Sequence, residues 1–448
     1  MNYDICIIGA GPACFGILDT LNKKAYQGKI LVIDQGFRIE ERTQKDIMHG
    51  FGGAGAYTDM KLMIDQETGG YLGRYLNNAK FPNKAWKYIT KAKEFYIKNG
   101  APSEPLSVNS DEEQVICEKY GMKFVPTEEL IHCGTDKAIP ICKNIWNNIQ
   151  VFLDIDWKFI NQVDKIKYNG ITDKNKMYEI DLMSGDLLYC NKLIIATGRS
   201  NTLNLKNLEV EYDNNIVDLG VRAEINGGPT KFTGMEKWFK KFYHPKLEFI
   251  TPTYGDKVRT FCTNPQGYVT IENYDNFKLV NGETYKNKKS NRTNFAILVS
   301  IPFTEPFKDG NEFARKIART VCQLNDGKPI VQSYRDLKYG RRSTMGSIIH
   351  LDYACNIKDF CPGDLSIVMP YRYMKDIMEF VERLDKMFFG VAESMLIYGL
   401  EAKFYANRPK MDENFMAKPN LYFAGDCSGI TRGIIQATAM GMYIGEKL

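Results

Sequence analysis

The chain has no run of about 18 uncharged apolar residues, which excludes an ordinary membrane-spanning helix. Its eleven cysteines are odd in number, scattered and never spaced C-x-x-C, so neither a disulfide framework nor a zinc site is indicated, and no metal is expected. It has only four histidines. Internal repeats and low-complexity tracts are missing as well. Charge of one sign does not dominate: a net +5 over 448 residues falls short of a nucleic-acid footprint. The first residues lack a basic lead, and their apolar run carries Asp4 before glycines, unlike a secretory signal. With unpaired thiols, a cytoplasmic location is expected. What remains is a chain with 44% apolar and 25% charged residues, long enough for two or three domains with full cores.

The most informative stretch is the first. Tyr3-Asp4-Ile5-Cys6-Ile7-Ile8 reads as one buried parallel strand, and Gly9-Ala10-Gly11-Pro12-Ala13-Cys14 turns it into a helix. Gly9 makes the sharp turn, and Gly11 lets the backbone approach a pyrophosphate, whose charge suits the unpaired N–H groups at a helix start. Pro12 fits the first helical turn. Cys14 stands where the third glycine of the fingerprint is usual. A second strand, Lys29 to Ile33, ends at Asp34-Gln35-Gly36, and Asp34 is placed to accept from adenosine ribose hydroxyls. Strand, glycines, helix and acid in this order predict a dinucleotide site.

A second glycine-rich run, His49 to Asp59, also spells G-x-G-x-x-G, but no strand leads into it and no βαβ unit follows. It reads as backbone lying close to a flat or charged ligand, with a surface loop as the alternative. Helices are expected over 71–99 and 111–120, and again over 138–149 with Thr135 or Asp136 as N-cap. Short strands follow, ending in Lys192 to Arg199. The region 203–352 turns β-rich, with strands near 218–225, 258–262, 268–272 and 294–302, a helix near 311–324, and a hairpin turn at Asn281-Gly282. A helix over 371–387, a strand closing at Leu421-Tyr422-Phe423-Ala424-Gly425-Asp426 and, after Cys427 to Gly433, an Ile/Ala/Met-rich helix complete the reading.

An N-terminal dinucleotide fingerprint, the Ala196-Thr197-Gly198 strand end and the Ala424-Gly425-Asp426 strand end, in this order, resemble the glutathione-reductase-like FAD-binding superfamily. Within it the chain is most similar to a branch of largely uncharacterised bacterial and archaeal FAD-dependent dehydrogenases. That likeness rests on residues 50–59, Gly134-Thr135-Asp136, Leu219 to Arg222, Thr260 to Cys262 with Pro265 and Gly267, and Thr431-Arg432-Gly433. The resemblance implies an α/β fold: a discontinuous Rossmann-like FAD-binding domain (1–70, 125–202, 353–448), an inserted helical lobe (71–124) and a β-rich substrate domain (203–352). It implies that Gly9, Ala10, Gly11, Pro12 and Ala13 hold the FAD pyrophosphate and that Asp34 and Gln35 meet the adenosine, with Val163 touching the adenine. Gly52, Gly53, Ala54 and Gly55 would lie near the ribityl chain or isoalloxazine. Thr197 and Gly198 would close the pocket, and Gly425 and Asp426 would meet ribityl or phosphate oxygens. Gly433, Ile434 and Ile435 would turn helix N–H groups toward the flavin N1/C2 side.

Proton transfer is where a side chain would act. His49, beside the glycine loop, titrates near neutrality, and a structural histidine is the alternative. Cys262 and Cys427 are either redox partners of the flavin or inert thiols. Asp59, Lys61, Arg222 and the Arg341-Arg342 pair are candidate anchors for an anionic group. His132 and Asp136 read as a local pair. With no second nucleotide fingerprint, NAD(P)H would serve only as a transient electron donor. Three readings stay open: an FAD-dependent oxidoreductase acting on a small molecule, anionic if the basic residues are used; a flavoenzyme tailoring nucleic acid, motivated by Arg335 to Arg342 and Lys286 to Arg292; and a non-enzymatic FAD-binding redox sensor.

Overall fold

The computed structural model describes residues 1–43, 47–105, 110–125, 129–149, 151–170, 176–199, 205, 208–226, 235, 238, 241, 246–274, 276–285, 287–303, 309–349, 357 and 359–448. Lys286 lies outside them. The chain divides into two compact units: Met1–Pro105, Thr127–Asn215 and Tyr405–Leu448 form the first, and Leu106–Pro126 with Ile216–Phe404 the second.

The first unit is built on five parallel strands: β1 (Asn2–Ile8), β2 (Ile30–Ile33), β3 (Ile155–Lys158), β4 (Leu187–Ile195) and β5 (Leu421–Phe423). Their order is β5-β4-β1-β2-β3, with the antiparallel Met416–Lys418 outside β5. Apolar residues crowd both faces of β1, as a parallel strand buried on both sides requires. The chain leaves β1 toward β2 on one side and returns through β4 on the other, so β1 marks a topological switch point, where the carboxyl ends of the strands leave a crevice. The fold is therefore α/β and Rossmann-like. An antiparallel pair, Val163–Tyr168 and Tyr178–Leu182, hangs from β4.

Four helices matter to the site: α1 (Pro12–Lys23), α2 (Lys84–Lys98), α3 (Thr135–Ile149) and α4 (Ile434–Lys447). α3 begins at Thr135 itself, so Thr135 and Asp136, the two expected caps, lie within its first turn. The predicted helix over 71–99 is two, Leu72–Leu76 and α2, separated around Pro82, which disfavours helix in the residue before it. α1 and α4 touch backbone to backbone. A Cβ on Gly16 would lie 2.0 Å from the Thr438 carbonyl oxygen, and one on Gly441 would lie 2.1 Å from that of Ala13. The fingerprint's third glycine is thus not where the close contact falls: Cys14 is simply buried, and the helices meet on either side of it, at Ala13 and Gly16.

The second unit is centred on a sheet in the order Cys361–Pro362, Ile330–Ser333, Leu396–Lys403, Val217–Asn226, Arg292–Ile301, Lys257–Asn264, Lys246–Ile250, Lys123–Val125. The helices Gly310–Leu324 and Tyr371–Met387 share its apolar core. Residues expected elsewhere belong here. The segment Asp111–Lys119, expected in a helical lobe, leads into Lys123–Val125, which pairs with Lys246–Ile250. Leu396–Lys403, expected in the FAD-binding domain, pairs with Val217–Asn226.

Asn281-Gly282 is not a turn. Both residues lie within strand Lys278–Glu283, Asn281 paired to Thr270 and Gly282 to Val269, and Tyr274 N donates to Phe277 O at 2.9 Å ahead of that strand. Gly282 is needed for room instead: a Cβ there would come 2.4 Å from Nη1 of the buried Arg222.

Asp376 on Tyr371–Met387 is fully buried. Burial, with the Asp256 carboxylate beside it, pushes its carboxyl up to about 6, while Asp256 itself takes both Arg372 Nε and Nη2 at 2.6 and 2.7 Å. A folded-state value above the unfolded one means the native chain binds the proton more tightly. Stability from this group is therefore present below about pH 4 and lost as pH rises through about 6. Asp376→Asn is expected to flatten that slope in denaturation curves taken between those pH values. An unchanged slope would remove Asp376 as its source.

Candidate functional site

The carboxyl ends of the first unit's strands are tied together by main-chain bonds. Gly9 N donates to Ile33 O at 2.7 Å, Ala196 N to Ile8 O and Ala424 N to Ile195 O at 2.8 Å, and Asp34 N to Lys158 O at 2.9 Å. Gly9 has φ +110°, and a Cβ there would sit 2.3 Å from the Ala196 carbonyl oxygen, so only glycine makes this turn. Gly11 then caps α1 with no side chain supplying the cap, and Pro12 opens the helix. The N–H groups of Ala13 and Cys14 are left in the first turn, the arrangement that suits an anion.

The second glycine run lies on the first. Gly52 N donates to Ala10 O at 2.8 Å, and Gly53–Tyr57 forms a 3₁₀ turn. A Cβ on Gly11 would come within 4 Å only of Gly53 Cα, at 3.9 Å, and one on Gly53 would lie 3.5 Å from Gly11 Cα. A Cβ on Gly55 would lie 3.3 Å from Ile434 Cδ1, and one on Gly425 would lie 2.9 Å from Ala13 Cβ. The starts of α1 and α4, the 3₁₀ turn and the Gly425 loop therefore converge. α4, like α1, is capped by a glycine, Gly433, with no side-chain cap.

Two arginines that the sequence reading assigned no role hold this junction. Arg42, buried, donates through Nη1 to Phe51 O (2.6 Å) and Gly53 O (2.9 Å) and through Nη2 to Ile47 O (3.2 Å), while Tyr57 faces its guanidinium. Arg199 donates through Nε to Asp426 Oδ2 at 2.9 Å, and Thr431 Oγ1 donates to Oδ1 at 2.7 Å. Nothing in either local sequence says which carbonyl or carboxylate the guanidinium will meet.

The acidic positions carry more structural duty than expected. Asp34 accepts from Ala10 N (2.8 Å), Gly36 N (2.9 Å) and Gly50 N (2.7 Å), bracing both glycine loops. Of its roughly four lone-pair sites about one is left for a ribose hydroxyl. Ile160 N donates to Gly36 O and Asn161 N to Asp34 O, which brings the chain past Asp34 shortly before Val163. The Gln35 side-chain amide nitrogen lies 2.5 Å from His49 Nδ1, so His49 sits at the β2 end, beside Asp34. Thr197 and Gly198 follow β4 at the same edge, Gly198 with φ +71°.

Several candidate anchors are engaged elsewhere. Arg222 is fully buried: Nε and Nη2 pair with Glu401 at 2.7 and 2.9 Å, and Nη1 donates to Asn294 Oδ1 and Cys262 O. It is the centre of a closed network and no anion anchor. Asp59 is buried with Lys61 at 2.8 Å and His132 at 3.4 Å. Burial alone would raise its pKa, but Lys61 first and then His132 hold it well below the usual carboxylate range. Asp59 and Lys61 thus neutralise each other. The Cys427 thiol is buried and donates to Ile195 O at 3.0 Å, and burial pushes its pKa up to about 12, which leaves it inert. Cys262 and Arg342 belong to the second unit, Cys262 at a register shift in Lys257–Asn264 and Arg342 exposed after Tyr334–Lys338. His49 belongs to the first. Among the described residues no group of side chains suited to a metal occurs, and no helix is long and apolar enough to cross a membrane.

No protein-family model matches the chain, and no curated protein does. Solved structures similar to it include a glycine oxidase from Geobacillus kaustophilus, at 11% identity and TM-score 0.41 over 100% of this chain and 95% of that one. An L-proline dehydrogenase from P. horikoshii is 11% identical, with TM-score 0.42 over 99% and 92%. PqsL, a probable FAD-dependent monooxygenase from Pseudomonas aeruginosa, is 8% identical, with TM-score 0.34 over 99% and 84%. Likenesses of this degree carry no functional argument, which rests instead on the residues above.

Proposed function

We propose that the chain is an FAD-dependent oxidoreductase acting on a small molecule. The observation that carries the reading is the junction of two long helices, α1 and α4, whose glycine-capped starts meet a third glycine-rich turn at the switch point of a parallel sheet. One such helix start suits a pyrophosphate. A second, reached beyond it from the Asp34 end, suits a cofactor that continues past the pyrophosphate and gathers negative charge at its far end, as a flavin does.

The residues present fit that group. Gly11 and Gly53 leave an open face that a Cβ would occupy, and the first-turn N–H groups of α1 adjoin it. Asp34, Gln35 and Val163 would serve the adenosine end. Gly433, Ile434 and Ile435 would serve the flavin end. FAD, when bound, supplies hydride or electron transfer. The chain's part is to bind and orient it, and the start of α4 favours negative charge there. His49 is assigned to the adenosine end beside Gln35 rather than to proton transfer.

The purified protein is expected to be yellow, with an absorbance band at about 450 nm that bleaches on reduction. Anaerobic screening of small metabolites, with NADH and NADPH among the donors, is the measurement that identifies the substrate. A folded, colourless preparation that takes up no added FAD would overturn the reading.

A further inference from the structure

We infer that Arg432 is the fixed positive charge of the flavin end, set to stabilise the negative charge that a flavin gathers on its pyrimidine side when reduced. The inference rests on the FAD reading above.

Arg432 immediately precedes Gly433, the cap of α4, and its own N–H donates to Gly69 O at 2.9 Å. A Cβ on Gly433 would lie 3.6 Å from Gly69 Cα, so this stretch and the Gly69 turn form one wall of the junction. The guanidinium is clamped between two rings, with Cζ 3.7 Å from the Tyr405 centroid and 4.7 Å from that of Tyr71. Nη2 donates to Asn215 Oδ1 at 3.3 Å. Nε is buried with no hydrogen-bond partner among the described residues.

The charges around it are matched and Arg432 is not. Arg199 is held by Asp426, Arg74 by Glu67 at 3.0 Å, and Arg408 lies 3.8 Å from Asp213. Among the described residues no carboxylate pairs with Arg432. Two aromatic faces satisfy a guanidinium's planes and leave its edge, where the N–H groups point, for a planar acceptor. A guanidinium held by rings rather than by a carboxylate keeps its whole charge for whatever lies before that edge. Placed at a helix start, it adds to the field of the α4 dipole, and in a site shielded from water both count for more than at a surface.

The test compares the FAD content and the midpoint potential of the bound flavin, titrated against a reference dye, in the wild-type protein and in Arg432→Met, Arg432→Lys and Arg408→Met. Arg432→Met is expected to retain FAD while the ratio of reduced to oxidised flavin at a fixed potential falls about tenfold, which is about 30 mV for a two-electron couple. Arg432→Lys should recover most of that shift, and Arg408→Met should show none. Should Arg432→Met fail to fold, Tyr405→Leu keeps the charge and loosens its clamp, and a smaller shift in the same direction is expected. Bound FAD at the wild-type potential in Arg432→Met, or in Tyr405→Leu where that variant stands in, would overturn the inference. So would an unchanged potential with only a raised KM for a carboxylate substrate, since Arg432 would then anchor substrate. Failure of the wild-type protein to take up FAD would instead overturn the reading on which the inference rests.

Discussion

Gly11→Val is expected to leave the fold intact and abolish cofactor uptake. Gly11 has φ −94°, which any residue adopts, and the Cβ of a replacement would meet nothing closer than Gly53 Cα at 3.9 Å. A valine there therefore meets no protein atom that it must displace. Its branches, however, would fill the face that a pyrophosphate must approach, forfeiting at least two charge-assisted hydrogen bonds from the first turn of α1. At about 1.5 kcal/mol or more each, that is a loss of affinity of about a hundredfold or greater. Two measurements on one preparation decide it: the melting temperature without FAD should match wild type, and titration with FAD should show no saturable binding. Gly9→Val is the contrasting control. There the added Cβ collides with the Ala196 carbonyl at 2.3 Å, so the fold itself should suffer. A Gly11→Val protein that binds FAD normally would place the pyrophosphate elsewhere.

Glu401→Leu is expected to destabilise the second unit by about 3–5 kcal/mol, because it leaves the Arg222 guanidinium buried without its counter-charge. Both side chains are fully buried, and the pair is bidentate. Lys403, 3.2 Å from Glu401, would be stranded too. Chemical denaturation followed by tryptophan fluorescence should show the loss as a lower midpoint. A double change, Arg222→Met with Glu401→Leu, should restore much of it, since an apolar pair of similar volume removes the unpaired charge. A loss of only a few tenths of a kcal/mol in Glu401→Leu would mean that the network's other members, Asn294 and the Cys262 carbonyl, hold Arg222 without it.

These two positions show what could and could not be read from the residues alone. The Gly9–Gly11 turn was legible because a short apolar strand, glycines and a proline sit consecutively, and local chemistry there admits one conformation. The parallel strands near 2–8, 30–33 and 421–423 were legible for the same reason: continuous apolar runs stopped by turn residues. Leu396–Lys403 was not anticipated as a strand. Its run is broken by Gly399 and ends with Glu401 and Lys403, charges that are buried only because Arg222 on a neighbouring strand answers Glu401 and Glu401 in turn answers Lys403. Asn281-Gly282 carried the usual turn pair, yet a distant guanidinium claimed the space that Gly282 leaves open. The roles of Arg42 and Arg199 depended on which loop folds over which strand end, and that is decided by packing across long stretches of chain. The candidate site was thus readable where it is backbone and glycine, and hidden where it is side chain meeting side chain.

The contact between α1 and α4 also sets a schedule for making the protein. The glycine turn at Gly9 leaves the ribosome more than four hundred residues ahead of the helix that completes the junction, with Gly433 as its cap. Until then, the backbone ridge of α1 at Gly16 faces no partner, and the wall carrying Arg432 does not exist. Capture of whatever fills the junction therefore waits until α4 has been made. Nascent chains stalled short of Gly433 would display an uncovered helix face, the kind of surface that chaperones and proteases read as incomplete.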